Sequence, residues 1–222
     1  MKIIGHRGAA GLALENTMNS FQKAIEVGAE IIEFDVRATA DGQLAISHGD
    51  DLARLGGGNH NISDLTTPEL HNITLKDGSH IPLLEDVLEL VAGRIPVMIE
   101  IKTIGGTEQV LAIMEKFPDQ PFFIASPRHD EIKRLKQLRP DIKGYPRAIC
   151  NPFLAIYRTK RYGADGIDLY DWWLPIIYFP CRLLGLEVIV FTVNHRWIGK
   201  LIGKLFPKVM LCTNYPNLFT QP

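Results

Sequence analysis

Residues 31–36 read IIEFDV, an apolar run that carries two acids, Glu33 and Asp35. Successive side chains of a β-strand point to opposite faces, so these two carboxylates share one face of the strand. Burying two like charges together is costly unless a cation or a basic side chain lies beside them. The stretch therefore predicts either a metal site or an ion-pair network, and His6 and Arg7 end the preceding apolar run.

On either side of this stretch, short apolar runs alternate with amphipathic segments. Repetition of strand and helix implies a parallel sheet, and eight units imply closure into a (β/α)8 TIM barrel. An open doubly wound sheet is the alternative, but no GxGxxG turn follows the first strand. The predicted strands are 3–5, 31–36 with a hairpin extension at 43–47, 96–101, 122–125, 142–145, 164–169, 187–193 and 208–212. The predicted helices are 15–27, 83–91, 107–116, 130–138, 152–161, 175–184 and 197–205.

One segment, from about residue 49 to 80, breaks this alternation. It is polar, rich in Gly, Asn, Asp, Ser and Thr, and offers at most one short helix, with Thr67 as N-cap and Pro68 as first residue. We interpret it as a small insertion after the second strand of a single domain that spans residues 1–222. In a barrel, loops that follow strands lie on the active-site face.

Composition excludes several classes of protein. The 222 residues are 46% hydrophobic and carry a net charge of −1, so we expect a large core and no general attraction to nucleic acid. No apolar stretch approaches the ~20 residues of a membrane span, and no secretory leader is evident. The cysteines, Cys150, Cys181 and Cys212, lack metal-ligand spacing. They predict free buried thiols and a cytoplasmic location.

Polar side chains gather at the predicted carboxyl ends of neighbouring strands. His6 and Arg7 follow the first strand, His48 ends the hairpin, and Glu100 and Lys102 end the third barrel strand. Each alone is typical of a structural residue or a surface ion pair, but their convergence favours function because buried charges are rarely tolerated without one. With the two acids of 31–36, they suit a hard divalent cation, a phosphate and a pair of acid–base histidines. The set predicts metal-assisted phosphodiester cleavage.

In order and spacing, these motifs resemble the glycerophosphodiester phosphodiesterase family. The resemblance implies a TIM barrel with a small insertion after the second strand and a divalent metal. It also implies hydrolysis of small-molecule glycerophosphodiesters to glycerol 3-phosphate and an alcohol. The matching motifs are HRG at 6–8, ENT at 15–17, EFDV at 33–36, DG at 41–42, His48, EIK at 100–102, FTVN at 191–194 and TNYP at 213–216.

By position, the resemblance implies a role for each matching acid and histidine. Glu33, Asp35 and Glu100 correspond to metal ligands, for Mg²⁺ or Ca²⁺ with Mn²⁺ also acceptable. His6 and His48 correspond to the acid–base pair. In the family picture, a glycerol hydroxyl attacks the phosphorus, one histidine takes its proton and the other protonates the leaving alcohol. The resulting cyclic phosphate is then hydrolysed.

The resemblance also implies substrate-binding residues. Arg7 and Lys102 correspond to phosphate-binding groups, and Glu15 corresponds to a residue that orients the site at the first strand, on His6 or on the metal. Phe191 is expected to form an aromatic wall. Separately from the resemblance, Trp172 and Trp173 follow a predicted strand end, so we expect at least one of them to line the same pocket and to contact the substrate.

Four positions depart from the family pattern. Gly49 replaces the aspartate that commonly follows the second histidine, with Asp50 one residue late. Phe191 replaces a tryptophan, Asn214 replaces an aspartate, and Leu14 replaces a proline. None of these removes a predicted ligand or catalytic histidine, so we expect them to affect substrate and rate rather than the chemistry.

The C-terminal third is unusually apolar and aromatic at residues 172–179, WWLPIIYF, and amphipathic at residues 197–206, WIGKLIGKLF. Barrel helices that pack on the sheet are one interpretation. A membrane-facing lip is the other, and it favours a lysophospholipase D-like activity on acylated substrates. A third hypothesis, motivated by Gly49 and Asn214, is a barrel that binds phosphorylated head groups without turnover.

Overall fold

The computed structural model describes residues 1–148 and 151–220. Eight parallel strands close into a barrel because β1 pairs with both β2 and β9, which confirms the predicted fold. The strands are β1 (Lys2–Gly5), β2 (Ile31–Ala38), β3 (Leu44–Ile46), β4 (Val97–Ile101), β5 (Phe122–Ser126), β6 (Lys143–Ala148), β7 (Gly166–Tyr170), β8 (Glu187–Phe191) and β9 (Met210–Thr213). The helices are α1 (Met18–Glu26), α2 (Thr67–His71), α3 (Leu84–Val91), α4 (Gly106–Met114), α5 (His129–Leu138), α6 (Pro152–Tyr162), α7 (Leu174–Leu183), α8 (Arg196–Leu205) and α9 (Asn217–Thr220).

The strand β3 stands outside the barrel order. It pairs antiparallel with the end of β2, with Val36 opposite Ile46, and it forms the hairpin expected from the turn at Asp41 and Gly42. The remaining eight strands follow the order β1, β2, β4, β5, β6, β7, β8, β9 around the barrel.

Most predicted helix starts differ from the structure, usually by one residue, and two of the differences are explained by a side-chain cap. The first helix begins at Met18 rather than residue 15, since the Thr17 hydroxyl accepts a hydrogen bond from the Ser20 N–H and caps it. The helix α2 is capped by Thr66 rather than Thr67, because the Glu69 carboxylate reaches back to the Thr66 N–H and hydroxyl.

Many strand ends also differ from prediction by one to three residues, and two of these differences lie near the mouth of the barrel. The strand β6 continues to Ala148 rather than stopping at residue 145, because Pro146 still lies opposite Ser126 of β5. The strand β8 ends at Phe191, although the Val193 N–H still donates to the Cys212 carbonyl. The extension of β6 places further side chains at the mouth of the barrel.

The period-2 alternation of the strands divides the core into an inner and an outer part. Ile31 and Met98 pack inside the barrel, whereas Ile32 and Ile99 pack outward against the helices. Two residues further along the same strands, Glu33 and Glu100 therefore point inward. The interior is filled with apolar side chains near the amino ends of the strands and with charged ones near the carboxyl ends.

The segment from 49 to 80 holds two short 3₁₀ helices, at Ala53–Leu55 and Ile62–Asp64, and the helix α2. It has an apolar cluster of its own, which includes Leu52, Leu55 and Ile62. That the whole chain is one domain, with this segment as its insertion, stays a prediction.

None of the described helices is both long and apolar enough to cross a membrane. Cys181 and Cys212 are buried free thiols, as predicted, and burial raises the pKa of Cys181 to about 12. Cys150 lies outside the described residues.

Candidate active site

Three buried carboxylates meet at the carboxyl ends of neighbouring strands. Glu33 and Asp35 come from β2, and Glu100, which lies directly opposite Asp35 in the sheet register, comes from β4. One oxygen from each lies within 4.8 Å of the others. The structure thus brings together the three residues that the sequence suggests as metal ligands.

The acids of this triad differ in protonation because their neighbours differ. Burial, together with the nearby Asp35 carboxylate, raises the pKa of Glu33 to about 7 and that of Glu100 to about 7. Burial opposes ionisation of Asp35 as well, but the Lys102 ammonium and the Arg7 guanidinium hold its pKa well below the usual range. Asp35 is therefore the permanently charged member of the triad.

The residues present fit a divalent cation. Glu33 Oε2 accepts the Arg7 N–H at 2.8 Å, whereas its buried Oε1 has no hydrogen-bonding partner among the described residues. An unpartnered buried carboxylate oxygen is costly, and it faces two further carboxylates within ligand distance of one ion. An all-oxygen donor set of this kind suits Mg²⁺, Ca²⁺ or Mn²⁺ better than Zn²⁺.

Two predicted phosphate-binding cations frame the triad. Lys102 Nζ lies 3.0 Å from Asp35 Oδ1 and also contacts Glu100. Arg7 Nε lies 3.4 Å from Asp35 Oδ2, and its NH1 donates to Glu15 Oε1 at 2.8 Å. The structure brings both cations to the three predicted metal ligands, as expected from the sequence.

Glu15 lies beside Arg7 but reaches neither His6 nor the triad by a hydrogen bond in the described structure. Its carboxylate is held by Arg7 and by Arg54, whose NH1 donates to Glu15 Oε2 at 2.9 Å. Arg54 belongs to the insertion, so Glu15 links the insertion to the first strand. Its predicted orienting role stays a prediction, and the geometry points to Arg7 as the residue oriented.

The backbone is strained at two residues that support the triad. Arg7 and Asn16 are not glycines, yet they have φ values of 51° and 57°. In these conformations the Arg7 N–H reaches Glu33, and Asn16 Nδ2 donates to Asp35 Oδ2 at 3.0 Å. Strain of this kind persists only where the surroundings hold it, which is common at functional sites.

His6 is buried at the end of β1 with its tautomer fixed. Nδ1 lies 2.6 Å from Asn214 Oδ1, and because that oxygen can only accept, Nδ1 carries the hydrogen of the neutral ring. The Asn214 N–H in turn donates to Asn194. Burial and the nearby Arg7 charge lower the pKa of His6 to about 4, so Nε2 is an unprotonated acceptor at neutral pH.

Replacing Asn214 with aspartate should raise the pKa of His6 from about 4 toward its ordinary value. The new carboxylate would accept the Nδ1–H and, because it is charged, stabilise the imidazolium more than the neutral amide oxygen of Asn214 does. The pH titration of the His6 ring in an NMR spectrum measures this change. An unaltered titration in Asn214→Asp would contradict the assigned contact.

His48 follows β3 and is half-buried beside the same site. Its backbone carbonyl accepts a hydrogen bond from Arg37 Nε at 3.0 Å, which fixes the hairpin end. Burial lowers the pKa of His48 to about 4 as well. Asp50 does not substitute for the missing aspartate at position 49, because its carboxylate binds the Ser63 N–H and hydroxyl within the insertion.

Sequence reasoning missed a second ion-pair centre on the other side of the barrel mouth. Arg147 of β6 donates from Nε to Asp168 Oδ2 at 2.8 Å and contacts Glu100 through NH2. Its guanidinium carbon also lies 4.1 Å from the centre of the Phe191 ring. The signal for Asp168 is present in the sequence, since a lone acid in the apolar strand GIDLY requires a buried partner.

An aromatic wall leads from this centre to the surface. Phe191, predicted as a wall, packs on Tyr170 with ring centres 4.6 Å apart, and Tyr170 stacks on Trp172 at 4.2 Å. Trp172 is largely exposed at the rim of the mouth, where the sequence suggests it. Trp173, by contrast, packs against the outer core.

The HRG motif at residues 6–8 ends in glycine because of the backbone conformation and the close packing at Gly8. Its φ is +81°, and a Cβ would lie 2.7 Å from the Ser20 carbonyl carbon in α1. Gly8→Ala should therefore lower the free energy of unfolding by about 2–4 kcal/mol, from backbone strain and overpacking together. Denaturant unfolding measures this.

The matched control is Gly78→Ala, where φ is +83° but no atom lies within 4 Å of the added Cβ. It incurs backbone strain alone, about 1–2 kcal/mol. Equal losses at the two positions would show that the contact with α1 contributes nothing.

Comparisons with known proteins agree with this geometry. The chain matches the model of the "Glycerophosphoryl diester phosphodiesterase family" over residues 6–148. A glycerophosphodiester phosphodiesterase of Caldanaerobacter subterraneus subsp. tengcongensis is 28% identical over 211 residues, 87% of this chain and 86% of that protein. Human lysophospholipase D GDPD1 is 40% identical over 114 residues, 46% of this chain and 36% of that protein.

A solved structure shows the same fold. It is an Oleispira antarctica phosphodiesterase in complex with the product sn-glycerol-3-phosphate, with a TM-score of 0.89 and 22% identity. The superposition covers 98% of this chain and 94% of that one. From the family match over most of its length, the chain belongs to the glycerophosphoryl diester phosphodiesterase family and is an enzyme that hydrolyses glycerophosphodiesters.

Proposed function

We propose that the reaction depends on a divalent cation and releases glycerol 3-phosphate and an alcohol. The observation that carries this proposal is the buried triad, in which one oxygen from each of Glu33, Asp35 and Glu100 lies within 4.8 Å of the others. In addition, the buried Oε1 of Glu33 has no hydrogen-bonding partner among the described residues. A cation held there would polarise a phosphoryl oxygen as a Lewis acid. The sn-glycerol-3-phosphate bound to the Oleispira antarctica enzyme, which shares the fold, is consistent with this product.

The basic side chains bind and orient the phosphodiester. Arg7 and Lys102 already lie within 3.4 Å of Asp35, so a phosphate beside the triad would share their hydrogen bonds. Glu15 and Arg54 hold Arg7 from the side of the insertion. Phe191 and Trp172, joined through Tyr170, form one wall beside the site.

The two histidines move the protons in this proposal. His6 has its Nδ1 hydrogen bound to Asn214, so its free Nε2 is suited to take a proton from the attacking glycerol hydroxyl. His48, less buried and at the hairpin end, would protonate the leaving alcohol. Its pKa is about 4 in the free protein, and the negative charge of a bound phosphodiester would raise that pKa.

The decisive test is a panel of glycerophosphodiesters assayed with Mg²⁺, Ca²⁺, Mn²⁺ and EDTA. We expect turnover with at least one cation, none in EDTA, and glycerol 3-phosphate as the phosphorylated product. Full activity in EDTA would refute the metal dependence. A phosphorylated alcohol with free glycerol would refute the direction of cleavage.

Metal binding should depend on pH in a defined direction. Glu33 and Glu100, with pKa values of about 7, must lose their protons to act as ligands, so protons compete below that pH. The rise in Tm that the metal produces over an EDTA-treated sample should therefore be larger at pH 8 than at pH 6. A rise that is equal at both pH values would contradict the triad as the binding site.

A lysophospholipase D-like activity is the second candidate. The exposed Trp172 extends the aromatic wall beyond the buried site, where an acyl chain could lie. Comparing the rates on glycerophosphocholine and lysophosphatidylcholine separates the two activities. The family match argues against the third hypothesis, a barrel without turnover.

We also propose that the protein acts in the cytoplasm. The two buried free thiols, Cys181 and Cys212, support a reducing compartment. Cell fractionation with an antibody against the chain tests the location, and recovery outside the cytoplasm would refute it.

A further inference from the structure

Large apolar side chains are exposed at the mouth of the barrel, and most of them lie on one side of the active site. Trp197 is 68% exposed and Trp172 is 63% exposed, although tryptophan side chains are on average largely buried. We call this set the apolar rim, and its members are Phe153, Leu154, Trp172, Ile176 and Trp197.

The apolar rim is continuous because of the barrel topology. Its members lie in the first turns of α6, α7 and α8, or in the 3₁₀ helix Asp171–Trp173 that precedes α7. The strands before these helices, β6, β7 and β8, are neighbours in the sheet. Because each helix begins at the carboxyl end of a strand, these first turns lie side by side at the active-site face.

The exposed apolar surface also continues down the same helices. Phe179 and Leu183 of α7 are exposed, the latter by 88%, as are Leu201 and Leu205 of α8. Contiguous exposed apolar surface on a soluble domain marks a site of interaction.

The charged residues of the helices that carry most of the apolar rim are all basic, and Asp171, beside Trp172, is the acid of the adjoining 3₁₀ helix. The helices α6, α7 and α8 contain no acidic residue. Residues 151–222 carry eight Lys and Arg against four Asp and Glu, a net charge of +4, whereas residues 1–150 carry sixteen against twenty-one, a net charge of −5. In the described structure, none of those eight basic side chains forms an ion pair with a carboxylate.

These charges decide between two occupants of the surface. In a symmetric dimer the same face meets itself, so the basic residues of both copies would repel each other. An anionic bilayer offers both an apolar interior for tryptophan and phenylalanine and phosphate groups for Lys200 and Lys204, two exposed lysines of α8.

We propose that the apolar rim and the basic residues of α6 to α8 dock the mouth of the barrel on an anionic lipid bilayer. Docking places the opening of the active site at the head-group layer. The consequence for the substrate rests on the proposed function: glycerophosphodiesters that retain an acyl chain reach the site from the bilayer rather than from water.

The test uses vesicles of phosphatidylcholine alone and of phosphatidylcholine with phosphatidylglycerol. We expect the full chain to sediment at least about tenfold more strongly with the anionic vesicles, and less at high salt, as electrostatic attraction requires. All three tryptophans, Trp172, Trp173 and Trp197, lie at or beside the rim, so their fluorescence should shift to shorter wavelength on binding.

Two double variants probe the surface with matched controls. Ile176→Ser with Trp197→Ser removes apolar area, and Lys200→Glu with Lys204→Glu reverses charge. Ile104→Ser alters a side chain that is 75% exposed after β4, on the opposite side of the mouth. Lys76→Glu reverses an exposed charge in the insertion.

We expect both double variants to lose vesicle binding by at least about tenfold, whereas both controls bind as the unaltered chain does. Hydrolysis of glycerophosphocholine in solution should stay unchanged in all four, which shows that they fold. Equal vesicle binding by all forms would overturn the docking surface, as would a dimer in light scattering that Ile176→Ser with Trp197→Ser dissociates. Loss of docking alone leaves the proposed function intact, and absence of hydrolysis with intact docking refutes that function instead.

Discussion

Replacing His6 with alanine should lower kcat by about 10²–10⁴-fold, the usual contribution of a positioned general base. The ring is buried, its Nδ1–H is bound to Asn214, and its Nε2 is the free acceptor, so no neighbouring side chain can take over the proton. Because His6 is not a metal ligand in the proposed site, the metal-induced rise in Tm should survive. Steady-state kinetics and thermal melts of the same preparation measure the two effects.

The two histidines should respond differently to the leaving group. A glycerol phosphodiester of 4-nitrophenol releases an alcohol that needs no protonation, so it should restore most activity to His48→Ala and little to His6→Ala. His195→Ala alters an exposed histidine after β8 and serves as the control with unchanged rates. Rescue of His6→Ala instead would exchange the two roles.

Replacing Glu33 with glutamine should abolish the metal-induced rise in Tm and lower kcat by about 10³-fold, roughly 4 kcal/mol of transition-state stabilisation. Glutamine keeps the shape of the side chain but offers one neutral oxygen in place of a carboxylate. At pH 8 the metal-free variant should be more stable than the metal-free parent, because it no longer buries a carboxylate whose pKa is raised to about 7.

A variant that loses stabilisation by the metal but gains stability without it is expected only where the altered residue is a metal ligand. The control Glu85→Gln alters a carboxylate that lies on the surface against Lys116, and it should change neither Tm nor kcat appreciably. If metal stabilises Glu33→Gln as much as the parent, Glu33 is not a ligand.

The barrel could be predicted from the sequence because its strands are buried on both faces. Such strands appear as short, mostly apolar runs, and Ile31–Ala38 and Val97–Ile101 are examples in which the few charged residues mark the site. The ends of elements could not be predicted equally well, since a cap such as Thr17 acts through one hydrogen bond that apolar periodicity does not report.

The charged residues of the candidate site were predictable on the side of the first strands, whereas on the side of the later strands only the aromatic residues were. His6, Glu33 and Glu100 stand out as polar residues at the ends of apolar runs. Arg147 follows Pro146, which interrupts the apolar pattern. The pattern therefore predicts a strand that ends before Arg147, whereas β6 continues past it. Its contact with Asp168 depends on the pairing of β6 with β7, and its contact with Glu100 crosses the barrel interior from β6 to β4. These contacts join residues 21 and 47 positions apart along the chain, which local periodicity does not report.

The antiparallel hairpin has a consequence for how the substrate preference of this enzyme can be altered. β3 fixes His48 against β2 before the segment from 49 to 80 begins, so the length and sequence of that segment can vary without moving the histidine. Among the described residues of this segment, Arg54 is the one whose side chain donates a hydrogen bond to Glu15. The hairpin thus holds His48 by contacts outside this segment, and exchange of residues 49–80 offers a route to altered head-group selectivity.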